Sequence, residues 1–375
     1  MSKPRKRVAV VFGGPSPEHD VSILTGLQAE RALRDSSVAA EVHTLYWTKA
    51  GEWMLVPGGK EASDFLAGPP SGSTPLRLQV GAGFIARRGG RFGSKEEPLF
   101  LDAALVCCHG GPGEDGTLQG VFDLCRIAYT GPTLPGALVG MDKLAFSALM
   151  ASAWLPMLPR VPLSESSAAP SFPGPYIVKP RFGGSSIGID VVSDFESARA
   201  RLGSNPHLGR GAVLEPYQPE LFDLQVGVRT WPELELSAIE RPLRQDEEGE
   251  ILAYSDKYVG AEGMTSAPRE LPAKLDDDLE AQLRKVSAEV ASLSQVRGVA
   301  RIDFLSDGEA LYVNEINTIP GSLARHLFVD PPVPFAALLS DMLDEAVARP
   351  AAGYSSAGAD GSVLRVAGSI GGKLA

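Results

Sequence analysis

The chain has 375 residues, 44% of them hydrophobic and 22% charged, with a formal net charge of −11. That length supports two or three domains with real cores, the acidic balance argues against broad nucleic-acid binding, and no stretch approaches the length of a membrane span. Three cysteines, Cys107, Cys108 and Cys125, all in apolar settings, are too few for a disulfide framework or a zinc site, which points to a reducing, cytoplasmic setting. The one basic cluster, KPRKR at 3–7, reads as a solvated start. It is not a signal peptide, because VAVVFGG turns to Gly and Pro after five apolar residues.

In chain order, RVAVVFGG (7–14) is a buried-type strand ending in glycines, and SILTGLQAERALRD (22–35) follows with the helical spacing of Ile23, Leu27, Ala29 and Leu33. EVHTLYW is the next strand, and the Gly/Pro/Ser-rich stretch over roughly 57–97 reads as surface loops and short hairpins. AALVCCHGG (103–111) is another apolar strand, with GTLQGVFDLCRI as its helix, so the first part is an α/β unit with a doubly wound parallel sheet. From 132 the texture changes. PTLPGALVGMDKLAFSALMASAWL is helical after its Pro/Gly start, and YIVKPRFGGSSIGIDVV (176–192) is two strands joined by a Gly/Ser loop, a small α+β module. After AVLEPY, strands alternate with a long amphipathic helix over 276–294, whose Leu279, Leu283, Val286 and Val290 share a face. The expected units are 1–131, 132–214 and 215–350, with 351–375, rich in Ala, Gly and Ser, as a flexible tail; no internal repeat is found.

Three loops have the composition for chemistry. In FGGPSPEHDVS (12–22) the glycine spacing fails a dinucleotide fingerprint, and Glu18 beside the helix start serves either as a cap and dipole partner or as a seat for a substrate ammonium. HGGPGEDGTLQG (109–120) places His109, Glu114 and Asp115 at the carboxyl end of a parallel strand, where open α/β sheets bind ligands; capping of the following helix is the competing role for the two acids. FGGSSIG (182–188) suits phosphates through close backbone approach and the Ser185 and Ser186 hydroxyls, although a Gly-rich hairpin turn is at least as common. Lys179 precedes that loop, and Lys143 is a second candidate cation whose competing reading is a solvated helix lysine.

Near the end of the chain, VARIDFL (299–305) and LYVNEINTIPG (311–321) read as two short strands. Alternation puts Arg301 with Asp303, and Glu315 with Asn317, on common faces. If the strands pair, Asp303, Glu315 and Asn317 form an oxygen-only cluster that suits magnesium better than calcium or zinc; a solvated hairpin face is the alternative.

Taken in order, FGGPSPEHDVS, HGGPGEDGTLQG, YTGP, MDK, VKPRFGGSSIG, LEPY, DKY, ARIDF and NEINTIPG resemble the D-alanine:D-alanine ligases of the ATP-grasp superfamily, from about residue 7 to residue 347. The resemblance implies an N-terminal α/β domain followed by a two-part ATP-grasp module. It further implies ATP and two magnesium ions, or manganese in their place, on Asp303, Glu315 and Asn317. Lys143, Lys179, Gly184, Ser185 and Ser186 fall on the phosphate side, Glu215 and Tyr217 at the adenine, and Asp223 near the ribose with one extra residue in the spacing. Glu18 then anchors the first substrate's ammonium near His109, and Arg301 with the Gly321 N–H stabilises the oxyanion. Ser185 and Tyr258 tie the Glu18 region to a loop, and Lys257 holds the second substrate's carboxylate. Where the family commonly has a serine to clamp that carboxylate, the chain has His326, followed by Leu327. The implied activity is dipeptide formation from D-alanine for peptidoglycan, by a cytoplasmic homodimer acting on small substrates, with neither nucleic acid nor membrane as partner. A different acceptor amino acid is the alternative, and an inactive nucleotide-binding regulator a more distant one.

Overall fold

A computed structural model describes residues 6–90, 93–243, 268–350 and 355–367. The first apolar run forms β1 (Lys6–Gly13), buried from Val8 onward because β2 (Ala39–Trp47) and the later strand β7 (Ala103–Val106) flank it in parallel. Helix α1 (His19–Arg34) lies across this core at close range. A Cβ added to Gly26 would stand 2.2 Å from the Phe12 ring, so only glycine permits the approach.

The expected parallel core is three strands wide. Beyond β2 the same sheet continues as an antiparallel meander, β3 (Trp53–Val56), β4 (Thr74–Gln79), β5 (Gly83–Gly90) and β6 (Gly93–Pro98), giving the order β6-β5-β4-β3-β2-β1-β7. The stretch read as loops and hairpins therefore extends the main sheet. Its signal is faint because its apolar residues come in short runs among Gly, Pro and charged residues. Leu76, Phe84 and Ala86 are buried, while Arg77 bonds Glu96 across the exposed face at 3.0 Å.

The Gly/Ser-loop module is a four-stranded antiparallel sheet of β8 (Val161–Leu163), β9 (Tyr176–Pro180), β10 (Asp190–Val192) and β11 (Ala212–Pro216), in the order β10-β9-β11-β8. Helix Phe195–Ser204 covers it, capped by Asp194, which accepts the Ser197 N–H at 2.9 Å. A second antiparallel sheet contains β12 (Phe222–Arg229), β13 (Glu235–Pro242), β14 (Arg269–Glu270), β15 (Val299–Ser306) and β16 (Leu311–Asn317), in the order β14-β13-β12-β15-β16. Two helices pack on this sheet: Asp277–Leu293 through its predicted apolar face, and Lys143–Ser152 through Phe146 and Met150. Helix Phe335–Ala348 instead returns to the first sheet, where Leu338, Leu339, Met342 and Leu343 share a core with Val8 to Val11.

A buried arginine locks these units together. Arg297 donates to the carbonyls of Gly131 (2.8 Å), Arg349 (3.0 Å) and Tyr129, and its guanidinium lies 4.7 Å from the Tyr129 ring centre. Next to it, Glu345 accepts the Gly298 N–H and the Thr230 hydroxyl, each at 2.7 Å. Arg297→Met strands these carbonyls without donors and is expected to cost about 3 kcal/mol or more of unfolding free energy. Urea denaturation measures this, and a loss below about 1 kcal/mol would refute the assigned role.

Candidate active site

β15 and β16 pair as the alternation requires. Asp303 stands opposite Glu315 and Arg301 opposite Asn317, while Gln225 of β12 faces Asp303 from the other side. Directly opposed residues share a face of the sheet, so a polar row crosses three strands. The Arg301 guanidinium forks onto Asp303, Nε to Oδ1 at 2.6 Å and Nη2 to Oδ2 at 2.8 Å, and Asn317 Nδ2 donates to Oδ2 at 3.0 Å. Among the described residues no group of three or more His, Cys, Asp or Glu forms a metal-binding cluster. The set here is two carboxylates and an amide oxygen, which fits magnesium completed by phosphate oxygens rather than a metal held by protein alone.

A cleft opens between the four- and five-stranded sheets. Lys143, Lys179, Gly184, Ser186, Glu215, Tyr217, Asp223, Asp303 and Glu315, all singled out from sequence, line it. Lys143 is not a solvated helix lysine. It begins a helix capped by Asp142, is buried, donates to the Gly183 carbonyl at 2.5 Å, and has its Nζ 3.6 Å from Glu315 Oε2. Burial pulls its pKa below the ordinary lysine range, with Glu315 opposing. Glu215 is buried between Lys179 (2.8 Å) and Arg160 (2.6 Å). Burial alone would raise its pKa, but the two cations outweigh burial and bring it to about 2, so the carboxylate is a fixed acceptor.

A second, smaller pocket adjoins the cleft and is lined by Glu18, His109, Ser185, Arg301, Asn317 and Gly321 among others. Glu315 lines both spaces and forms the wall between them. Glu18 occupies the N-cap position of α1 but its side chain makes no capping bond; it reaches the Ser185 hydroxyl instead. Gly110 must be glycine for this, since a Cβ there would lie 2.2 Å from Glu18 Oε2. Ser185 and Ser186 have φ of 55° and 58°, left-handed backbone that costs energy and turns the loop toward the pocket.

The floor of this pocket is a clasp between distant segments. His109 Nδ1 donates to the Ile319 carbonyl at 2.8 Å, which leaves Nε2 to accept from the Thr25 hydroxyl at 2.8 Å; Thr25 in turn accepts the Ser322 N–H at 3.0 Å. Burial, with a smaller contribution from Arg301, brings the His109 pKa to about 4, so the imidazole is neutral near pH 7. Glu114 caps no helix: it accepts the N–H groups of Gly110 and Ile319, both at 2.9 Å, and the Thr318 hydroxyl at 3.2 Å. Asp115 takes the capping role, accepting the Thr117 N–H at 3.0 Å. Burial and the nearby Glu18 charge raise the Glu114 pKa to about 7.

Two expected residues stand apart from the pocket. His326 Nε2 pairs with Glu240 Oε2 at 3.1 Å, and Glu240 also meets Arg269 at 3.0 Å. The Leu327 side chain is fully buried in the N-terminal core, where its apolar chain belongs. Lys257 and Tyr258 lie outside the described residues. Sequence reasoning missed Thr25 and Arg160 as site residues. Thr25 had a signal, since Glu18, Ser22 and Thr25 fall on one face of the helix. Arg160, in LPMLPRVPL, had none.

Comparison with known proteins converges on one group. Residues 7–132 match the family model described as D-ala D-ala ligase N-terminus, and residues 139–342 the one described as D-ala D-ala ligase C-terminus. The chain is 30% identical to a D-alanine–D-alanine ligase of Bradyrhizobium sp. over 369 residues, covering 93% of this chain and 97% of the relative. It is 31% identical to one of Mycobacterium bovis over 375 residues, covering 92% and 96%. Among solved structures, the Vibrio cholerae D-alanyl-alanine synthetase A shares the fold with a TM-score of 0.74 at 19% identity, over 93% of this chain and all of that one. A D-Ala:D-Ser ligase from Enterococcus faecalis does so with a TM-score of 0.71 at 21% identity, over 92% of this chain and 100% of the other.

The Glu114 shift sets a pH dependence. An acid whose folded pKa is raised from 4.5 to about 7 gives its full stabilisation below pH 4.5 and loses it as pH rises through about 7. Glu114→Gln removes that titration, so the stability of the variant is expected to fall less than that of the native protein between pH 4.5 and 7. Parallel curves in urea titrations across this window would refute the assignment.

Proposed function

The chain belongs to the D-alanine–D-alanine ligase family, and on that premise we propose that it joins two molecules of D-alanine at the expense of ATP, for peptidoglycan synthesis. The observation that carries the reading is the shared wall. A pocket with Glu18 and Arg301 adjoins a cleft with Lys143 and Lys179, and Glu315 borders both. A phosphoryl group held in the cleft is thereby within reach of a carboxylate held in the pocket.

A carboxylate is a poor acyl donor until its oxygen becomes a better leaving group. ATP transfers its terminal phosphoryl group to the first D-alanine, giving an acyl phosphate and ADP. The amine of the second D-alanine attacks that carbon, a C–N bond forms, the C–O bond to phosphate breaks, and the ammonium proton is released. Glu18 holds the first ammonium. Arg301 and the Gly321 N–H point at the oxygen that gains charge, where preorganised donors contribute most. Lys143 and Lys179 lie along the phosphates, Ser186 and Gly184 close over them, Glu215 and Tyr217 flank the base, and Asp223 lies toward the ribose. Magnesium, held by Asp303, Glu315 and Asn317, supplies charge neutralisation on the phosphates.

The reading extends to two magnesium ions, to Lys257 on the acceptor carboxylate and to a cytoplasmic homodimer, each supported by the family likeness; His326 stands where the family commonly has a serine and is paired with Glu240. Among the described residues no helix is long and apolar enough to cross a membrane.

The test is ADP release with magnesium, ATP and either D-alanine, L-alanine, D-serine or D-lactate, with products identified by mass spectrometry. D-alanine alone is expected to give its dipeptide with one ADP per bond; absence of that product would overturn the reading. Arg301→Ala is expected to lower turnover by about a hundredfold or more while circular dichroism stays native. Near-normal turnover in that variant would remove Arg301 from the mechanism.

A further inference from the structure

Arg160 is the last residue before β8, and its side chain is only 3% exposed. One guanidinium meets four acceptors: Nε donates to Glu215 Oε1 at 2.6 Å, Nη1 to the Lys143 carbonyl at 3.1 Å and the Ser147 hydroxyl at 3.0 Å, and Nη2 to the Asn314 carbonyl at 3.1 Å. These partners lie on opposite walls of the cleft. Glu215 belongs to β11 of the four-stranded sheet, whereas Lys143 and Ser147 open the helix packed on the five-stranded sheet, and Asn314 is in β16 of that sheet. Arg160 itself does not line the cleft, but Glu215, Lys143 and Asn314 do.

We infer that Arg160 is a positioning residue for the nucleotide: its fork holds the two walls of the cleft in register, so that the Glu215 end and the Lys143–Glu315 end are presented to one ATP molecule together. The inference rests on the nucleotide site proposed above. Two physical arguments carry it. A planar fork with several donors spans four acceptors at fixed angles, which a lysine ammonium cannot reproduce. A buried ion pair is also a poor source of stability compared with apolar packing, so stability alone does not account for a fully desolvated arginine here.

The charge balance adds a second consequence. Glu215 is shared by Arg160 on one oxygen and Lys179 on the other. Without Arg160, Lys179 is left as the cation bonded to a buried carboxylate and is held there more tightly. It is then less available to phosphate.

The experiment compares the full-length native protein with Arg160→Lys, Arg160→Met and the double variant Arg160→Met with Glu215→Gln, which removes the stranded carboxylate if the single Met variant fails to fold. Calorimetry with magnesium and ADP gives nucleotide affinity, steady-state assays give KM for ATP and for D-alanine, and thermal melts give Tm. Both single variants are expected to bind ADP about tenfold or more weakly, and to raise KM for ATP while leaving KM for D-alanine within about twofold. The double variant is expected to regain Tm without regaining ADP affinity. Native-like ADP binding by Arg160→Lys overturns the fork argument. Equal rises in both KM values, or a lowered Tm with unchanged ADP affinity, overturn the positioning role. Native protein that binds ADP but shows no D-alanine-dependent turnover overturns the ligase reading alone, since the binding comparison still decides the role of Arg160. Native protein that binds no nucleotide overturns both.

Discussion

The turn from Thr318 to Ala324 cannot hold its conformation by itself. Ser322, Leu323 and Ala324 have φ of 49°, 52° and 48°, three successive non-glycine residues in left-handed backbone, each at a cost on the order of 1 kcal/mol. The turn persists because other segments over-determine it. Leu323 and Ala324 are wholly buried in the N-terminal core, and Thr318, Ile319 and Ser322 are bonded to Glu114, His109 and Thr25. Every one of those partners comes from the first 114 residues of the chain. The backbone at Gly321, which the proposed mechanism uses as an oxyanion donor, is therefore placed by a different part of the molecule from the strand that delivers it. The amino-acid pocket exists only while the two parts are docked.

Arg301 is oriented by the same economy. Its guanidinium is forked onto Asp303, its neighbour two residues along the strand, and Asp303 is in turn bonded by Asn317. Arg301, proposed for oxyanion stabilisation, and Asp303 and Asn317, two of the three residues proposed for magnesium, are thus one hydrogen-bonded unit. A change in charge at the metal position alters the hold on Arg301, and the two chemical steps share an electrostatic framework. A bulge between Asp303 and Phe304 follows this unit, and beyond it the register resumes with Phe304 opposite Val313.

The sequence made some of this legible and concealed the rest for physical reasons. Continuous apolar runs disclosed β1 and β7, and period-two spacing disclosed that Arg301 shares a face with Asp303 and Glu315 with Asn317, because both signals are local. The meander of β4 to β6 was hidden because its apolar residues come in short runs among Gly, Pro and charged residues, and the return of helix Phe335–Ala348 to the first sheet has no local signature at all. Among site residues, Glu18, Lys143, Lys179, Glu215 and Arg301 were found because each stands in a motif. Glu114 was seen at the ligand-binding end of its strand with helix capping as the competing role, and its actual partners Thr318 and Ile319 were hidden because they are some two hundred residues away. Arg160 was invisible for the same reason: its role consists entirely of contacts across the fold.

Glu18 and Glu114, two of the carboxylates that line the smaller pocket, give the clasp a response to charge. Glu18 and Glu114 are close enough for the charge of one to raise the pKa of the other, and Glu114 is at about 7 as a result of that charge added to burial. An ammonium seated on Glu18 offsets this charge and brings the Glu114 pKa down again. Ionisation of the carboxyl is thereby favoured, and an ionised carboxylate accepts hydrogen bonds more strongly than a protonated one. Its donors are the Gly110 N–H, the Thr318 hydroxyl and the Ile319 N–H, so the gain falls on the segment leading into Gly321. In the proposed mechanism an ammonium on Glu18 therefore strengthens the hold of Glu114 on the segment that carries the Gly321 N–H.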